Sequence, residues 1–402
     1  MARPWFNLFH IYQPPGWSQA VIRKVTHEAY RPLFRELVKD PSLRVTLNMC
    51  ASLTEQLAKQ GQKDVLRNIC VCAERGQIEF TGSAAYHPIL ALLPQKEVRR
   101  QIKLNEDINK KYFGEAYAPS GFFIPEMCYS ASVAKIVAQM GYDWLILDEI
   151  AHSGVIGRTK FDVGYRHADI PVHIIFRNRV ISDLFFMTEL RSPRAFHKRV
   201  KEDSRSLPGL ITAFDGENLG HHNPTLLQTW LRLARSSQYT LSTLTDYLAT
   251  RRRWTSVRPI ASSWASREDE LREGIPYSLW QYPGNPLHAA LWQLTRLALA
   301  DTDIAHRERS RLDRTLASDQ YWWASAMPWW SREILLTSAH RLVRLIERSS
   351  RKATHRDKAT KLYASFEVMV EEWQKSGRAD AIRERYLAAE PFTRLFGGET
   401  VN

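Results

Sequence analysis

Cysteine is scarce in this chain. Four in 402 residues, Cys50, Cys70, Cys72 and Cys128, are too few for the disulfide framework of a small secreted domain. Cys70 and Cys72 stand in a stretch that reads as a helix ending at Gly76, and no second cysteine pair lies nearby to complete a metal site. Long apolar runs are missing too. Nothing approaches the roughly 18 uninterrupted apolar residues of a membrane span, and Met1-Ala2-Arg3-Pro4-Trp5-Phe6-Asn7 lacks the apolar core of a signal peptide. The expectation is a cytoplasmic protein with no membrane partner. There is no internal repeat, no low-complexity linker and no recognisable nucleic-acid-binding module. The formal net charge is nevertheless +13, with basic clusters at 251–253 and 306–311. Acids are interspersed among the bases, so solvated helix faces account for the charge and nucleic acid is not expected as a partner.

What is present is a real core: 44% of the residues are hydrophobic, enough for one large barrel plus a smaller domain. Seven short stretches rich in β-branched and aromatic residues read as strands, at 5–12, 44–50, 77–81, 121–125, 143–148, 172–177 and 209–214. Helical patterns separate them. Val133, Ile136, Val137 and Met140 form an i, i+3, i+4, i+7 stripe opened by Ser130 or Ser132 and closed by Gly141. Alternating β and α units with continuously apolar strands imply a parallel sheet covered on both faces. Polar residues recur where those strands end: His10, Asn48, Glu126, Asp148 with Glu149, Arg177 with Asn178, and Asp215 with Glu217. That recurrence favours a closed α/β barrel with its site at one rim. After residue 250, which holds nine of the thirteen tryptophans, convincing strands disappear. Leu335, Ala339, Leu342 and Ile346, then Leu362, Phe366, Val370 and Trp373, are stripes of helical spacing. The expected domains are therefore a catalytic barrel over 1–250 and a helical domain over 251–402 that packs on it and contributes to its cleft.

The chemistry concentrates at two strand ends. Gly209 to Phe214 runs into Asp215-Gly216-Glu217, with Gly220-His221-His222 just beyond, and Gly121 to Pro125 runs into Glu126. Two carboxyls at one rim suit glycosyl transfer, where one acid donates a proton and the other attacks. The plain alternatives are helix caps: Glu126 for the helix starting near Ser130, Asp215 for the one opening near Pro224. A cap needs one acceptor, whereas Glu217, His221 and His222 crowd the same turn. His10 belongs at the mouth of the first strand and His87 follows the third; each is either a satisfied core histidine or a polar group for a sugar. Trp264 and Trp280 stand among amides and serines in loop-like sequence and read as sugar platforms. The pairs Trp322-Trp323 and Trp329-Trp330 read as packing.

With these residues in hand, the chain resembles glycoside hydrolase family 57. The resemblance runs through Phe9 to Pro15, Gly76-Gln77-Ile78-Glu79, His87-Pro88, Ile124-Pro125-Glu126, Asp215-Gly216-Glu217 with Gly220-His221, and more loosely residues 262–288. It implies a (β/α)7 barrel with a C-terminal helical domain acting on α-glucans. By it Glu126 matches the nucleophile, Asp215 the general acid/base, and His10, Glu79 and Glu217 the groups around the transferred sugar. One departure is visible: the family's first motif carries a second histidine where this chain has Tyr12. The chain is also short for the family, so the loops of branching enzymes are expected to be missing.

The expected activity is retaining cleavage of α-1,4-glucosidic bonds, α-amylase-like, through a covalent glycosyl-enzyme and without a metal or other cofactor. A glucanotransferase differs only in that a sugar hydroxyl replaces water. A metal-dependent polysaccharide deacetylase would use His10, His87, Asp215, His221 and His222 as zinc ligands, yet no His-x-x-x-His pair is present. A catalytically silent glucan-binding protein would use the tryptophans alone. Oligomeric state is not legible.

Overall fold

The computed structural model describes residues 2–186, 190, 192–203 and 209–388. The chain falls into two compact units, Met1–Trp264 and Ala265–Asn402.

The first unit is organised by one ten-stranded sheet: β1 (Arg3–Ile11), β2 (Val45–Met49), β3 (Ile78–Gly82), β4 (Gly121–Phe123), β5 (Trp144–Asp148), β6 (Gly164–His167), β7 (His173–Arg177), β8 (Leu210–Asp215), β9 (Tyr239–Ser242) and β10 (Trp254–Val257). The strand order is β10-β6-β7-β5-β4-β3-β2-β1-β8, with β9 beside the start of β1. Every neighbouring pair is parallel except β6 with β7. Seven parallel strands, β8-β1-β2-β3-β4-β5-β7, curl until the end of β7 reaches β8, where Asn178 N–H donates to Ile211 O at 2.8 Å. This is the (β/α)7 barrel expected from the sequence, and its seven strands coincide with the seven stretches read there.

Strands β6, β9 and β10 have no counterpart among those stretches. Each is four residues long and, unlike the barrel strands, carries exposed positions, so none gives a continuous apolar run. β10 also corrects the expectation that strands end at residue 250.

Side chains alternate across the barrel wall, as strand geometry requires. On β1, Trp5, Phe9 and Ile11 face outward into a cluster with Leu33, Phe34, Leu37 and Trp230, while Phe6 and Leu8 face inward. Each such aliphatic or aromatic side chain contributes roughly 1.5–3 kcal/mol by leaving water. Two residues beyond Leu8, the inward position is His10. On β8 the inward residues Ile211 and Ala213 lead to Asp215 by the same period. The barrel interior is thus apolar below and polar at the carboxyl ends. The helix Ala131–Gln139 opens as the motif predicts: Ser130 Oγ accepts from Val133 N–H at 3.3 Å.

The second unit is helical. Pro286–Leu299, Arg332–Ser349 and Ala353–Lys375 are its longest members, and Leu335, Ala339, Leu342, Ile346, Phe366, Val370 and Trp373 are buried as their spacing requires. Among the described residues no helix is long and apolar enough to cross a membrane.

Candidate active site

Strand register sets the site. His10 of β1 stands opposite Asn48 of β2 on one side and Asp215 of β8 on the other. Asn48 stands opposite Thr81 of β3. His10 Nδ1 and Asn48 Oδ1 are 2.6 Å apart, and Asn48 Nδ2 donates to Thr81 Oγ1 at 2.9 Å. The amide therefore offers its oxygen to His10, which must carry its proton on Nδ1 and keep Nε2 as an acceptor. Burial lowers the His10 pKa to about 4 against the opposing effects of Asn48 and Glu217, so the ring is neutral at pH 7.

Four rings form a column across the mouth. Tyr12 stacks on His87 at 4.2 Å, His87 on His10 at 4.9 Å, and His10 on Phe123 at 4.7 Å. His87 is buried, and burial followed by the neighbouring His10 holds its pKa well below the usual value. His10, Cys50 and His87 are also the described residues whose potential metal-ligating atoms gather, all within 4.8 Å.

Glu126 follows Pro125 immediately after β4, with φ 57° and ψ 14°, and Met127 continues at φ 47°. Four non-glycine residues among those described have positive φ, and three of them, His87, Glu126 and Met127, are here. A left-handed non-glycine residue costs on the order of 1–3 kcal/mol, and such strain gathers at functional sites. What it achieves is orientation: Glu126 Oε2 accepts from Trp264 Nε1 at 2.8 Å, and Oε1 lies 3.6 Å from His87 Nδ1. Trp264 also meets His10 and Phe123 edge-on at 5.9 and 5.8 Å. The helix after Glu126 is capped by Ser130, which removes the capping role for the acid.

Asp215 makes no capping bond either, and the helix Leu226–Ala234 begins without a side-chain cap. Burial, and then the Glu217 carboxylate, raise the Asp215 pKa to about 7, against His222 and Arg177. Glu217 is held by Gln13 Nε2, by Tyr30 OH at 3.3 Å and by His222 Nε2 at 3.1 Å. The bond to Glu217 raises the His222 pKa above the ordinary histidine value. His221 turns away, its Nδ1 2.5 Å from Glu28 Oε2 on the π-helical turn Thr26–Tyr30. Gly220 permits that approach, because at φ 136° a Cβ would stand 2.1 Å from Glu28 O.

Two expected sugar ligands are placed elsewhere. Glu79 points inward one layer below Thr81, where its Oε2 accepts from Thr46 Oγ1 at 2.8 Å, Leu244 N–H at 3.0 Å and Thr245 N–H at 3.3 Å. It thereby caps the helix Leu244–Ala249, which lies at the amino ends of the strands, where Trp144 Nε1 reaches Thr245 Oγ1 at 3.1 Å. Trp280 lies in the second unit with 1% of its surface exposed, its carbonyl accepting from Trp292 Nε1 at 2.9 Å, so it presents no open ring face. The structure therefore brings together His10, His87, Glu126 and Trp264 and, through the β1–β8 register, Asp215 with Glu217. Two further residues hold Glu217 without a signal in the sequence: Gln13, just beyond β1, and Tyr30, which a π-helical turn brings to it.

The profile described as Glycosyl hydrolase family 57 matches residues 2–245. An alpha-amylase of Dictyoglomus thermophilum is 30% identical over 184 residues, covering 43% of this chain and 26% of that protein. A 4-alpha-glucanotransferase of Thermococcus litoralis is 25% identical over 142 residues, covering 35% and 21%. The matched region thus spans about a quarter of the length of these curated relatives. In structure, the 4-alpha-glucanotransferase of Thermococcus litoralis superposes with TM-score 0.66 at 17% identity, over 88% of this chain and 61% of that one. A branching enzyme of Pyrococcus horikoshii superposes with TM-score 0.63 at 16% identity, over 90% and 95%. The structural likenesses concern the fold; the profile, which takes in well over half of the residues, shows that the chain belongs to glycosyl hydrolase family 57.

Proposed function

We propose that this chain is a retaining α-glucan glycosidase of the α-amylase kind, with Glu126 as nucleophile and Asp215 as general acid/base. The observation that carries this reading is the contrast between the two acids. Asp215 is poised to hold a proton near pH 7, as a group must that protonates a leaving oxygen at neutral pH. Glu126 is fixed by a strained backbone and an indole N–H, as suits a group that must attack one atom. The Glu126 carboxylate attacks the anomeric carbon while the glycosidic oxygen leaves with the Asp215 proton. Water then attacks the same carbon and gives a proton to Asp215, and the bond to Glu126 breaks, so configuration is retained. Retention implies a carboxyl separation of about 5–5.5 Å. Neutral His10 offers Nε2 to a sugar hydroxyl, and Tyr12 and Trp264 offer ring faces.

A glucanotransferase is the second reading, favoured by the matches to enzymes of that name as well as to amylases. A screen of maltooligosaccharides, soluble starch, cyclodextrins, pullulan and glycogen, with products separated by size, distinguishes them. Only shorter products are expected. Products longer than the starting oligosaccharide would mean transfer, and no turnover of any α-glucan would remove the enzymatic reading.

A further inference from the structure

Beneath Trp264 lies a buried ion cluster that the mechanism above does not use. Arg177, the last residue of β7, donates from Nε to Asp148 Oδ2 at 2.6 Å, and its Nη2 lies 3.1 Å from Asp183 Oδ1. Arg179 donates from Nε to Asp148 Oδ1 at 2.8 Å, with Nη2 at 2.7 Å from the same oxygen. Two guanidinium groups and two carboxylates balance in charge. Burial pushes the Asp148 pKa up, but Arg179 and Arg177 outweigh it and leave the group below the ordinary carboxylate value.

Buried ion pairs of this kind are weak evidence for stability, since well-packed apolar residues often serve as well. What distinguishes this cluster is where its remaining donors go. Arg177 Nη1 donates to Ala213 O at 3.0 Å, two residues before Asp215. The Arg177 guanidinium also sits 5.6 Å from the Trp264 ring centre, within cation–π range. Arg179 Nη2 donates to Ser263 O at 3.4 Å, immediately before Trp264. The segment they hold is bonded to the Glu126 turn by its main chain as well, Trp264 N–H to Glu126 O at 3.2 Å and Tyr129 N–H to Ser262 O at 2.8 Å.

We propose that Arg177, anchored by Asp148 and Asp183, is the positioning residue of this site: it supports Trp264, the indole that holds Glu126, and fixes the strand that carries Asp215. One planar fork with donors in three directions does this; a lysine keeps the charge but cannot reach the same acceptors or stack on the indole. The proposal rests on the glycosidase reading for its consequence, though not for its geometry.

The test uses the full chain and the variants Arg177→Lys, Arg177→Met, Trp264→Phe and the two doubles. With an activated α-maltosyl fluoride, Arg177→Met and Trp264→Phe should each lower kcat by roughly 10- to 100-fold with KM little changed. The double should fall no more than about threefold below the worse single, because residues acting through one another are not additive. Losses that multiply would overturn the proposal. The pH profile separates charge from geometry. Asp215 is faced by Glu217, His222, Arg177 and Tyr30, so removing the cation in Arg177→Met moves the upper limb of kcat/KM to higher pH. Arg177→Lys leaves the limb in place while still losing kcat. A lysine variant with wild-type kcat would show that charge alone suffices and overturn the positioning role. A substrate-free readout covers the case in which the wild type cleaves no α-glucan. In protein grown on 5-fluorotryptophan, the fluorine resonance removed by Trp264→Phe should be displaced in both Arg177→Lys and Glu126→Gln. An undisplaced resonance in Arg177→Lys refutes the support of Trp264, whether or not the glycosidase reading stands.

Discussion

At the amino end of the barrel the Glu79 carboxylate accepts from Thr46 Oγ1 and from the first two N–H groups of the helix Leu244–Ala249. At the carboxyl end the Asp215 carboxyl has no donor among the described residues and stands beside a second acid, Glu217. Burial raises each group above its ordinary value, and Asp215 to about 7. For Glu79 the donors oppose the rise, and the helix terminus favours the anion. For Asp215 the neighbouring carboxylate adds to it. On the proposed mechanism, two acids with similar burial on neighbouring layers of one barrel divide into a structural cap and a proton donor. What separates them is whether the surrounding main chain is aimed at the charge.

The comparison breaks most visibly at the rim. Glu126→Ala and Asp215→Ala should each lose on the order of a thousandfold or more on unactivated glucans, as expected when covalent or acid–base catalysis is removed. Their rescue should differ. In Glu126→Ala azide attacks an activated α-glucosyl fluoride directly and yields the β-glycosyl azide. In Asp215→Ala the glycosyl-enzyme still forms on Glu126, and azide resolves it to the α-glycosyl azide. The anomeric proton signal reads the outcome, and the opposite assignment would exchange the two roles.

At the amino end the expected loss is in stability. Glu79→Ala removes an acceptor from the first two N–H groups of the helix; Leu244 N–H keeps Thr46 Oγ1 at 3.0 Å and Thr245 N–H is open to water, so the loss is that of a helix cap, about 0.5–2 kcal/mol. Thermal unfolding should register this as a lower midpoint, while kcat/KM of the folded protein at 25 °C stays within a few-fold of wild type. A hundredfold loss of kcat/KM with an unchanged midpoint would instead put Glu79 on the sugar.

The same contrast explains what the sequence could and could not say. Period and strand ends placed His10, Asn48, Asp215 and Glu217, because inward positions follow from the apolar pattern of β1 and β8. Glu79 carries the same inward signal, being two residues before Thr81. Its role depends on a helix 165 residues further along the chain, and strand periodicity has no access to that. Trp280 failed for a related reason: composition shows an aromatic, while burial decides whether a ring face is open. Tyr30 reaches Glu217 from a π-helical turn, which leaves no mark in spacing, and Gln13 reaches it from the segment just beyond β1, where strand periodicity has ended. The Arg177 cluster was visible only as charged residues at strand ends, since its partners Asp148 and Asp183 lie on other elements.

The smallest effect is also the most direct measure of how the rim differs from the cap. If Asp215 has a folded-state pKa of about 7 against roughly 3.9 unfolded, the folded protein binds more protons between those values. Stability from this group therefore falls as pH rises from about 4 to about 7 and levels off above. Asp215→Asn removes that dependence. The variant should unfold at nearly the wild-type midpoint at pH 4 and be more stable by roughly 1–3 kcal/mol at pH 8, a figure reduced from the full linkage value of about 4 kcal/mol because the group is only partly buried. Glu79→Gln should remove a smaller pH dependence of the same sign, since the rise of Glu79 is opposed by hydrogen bonds that Asp215 lacks. Equal stability of Asp215→Asn and wild type across pH 4–8 would mean that Asp215 ionises as freely in the folded state as in the unfolded one, and it could not then serve as the proton donor at neutral pH.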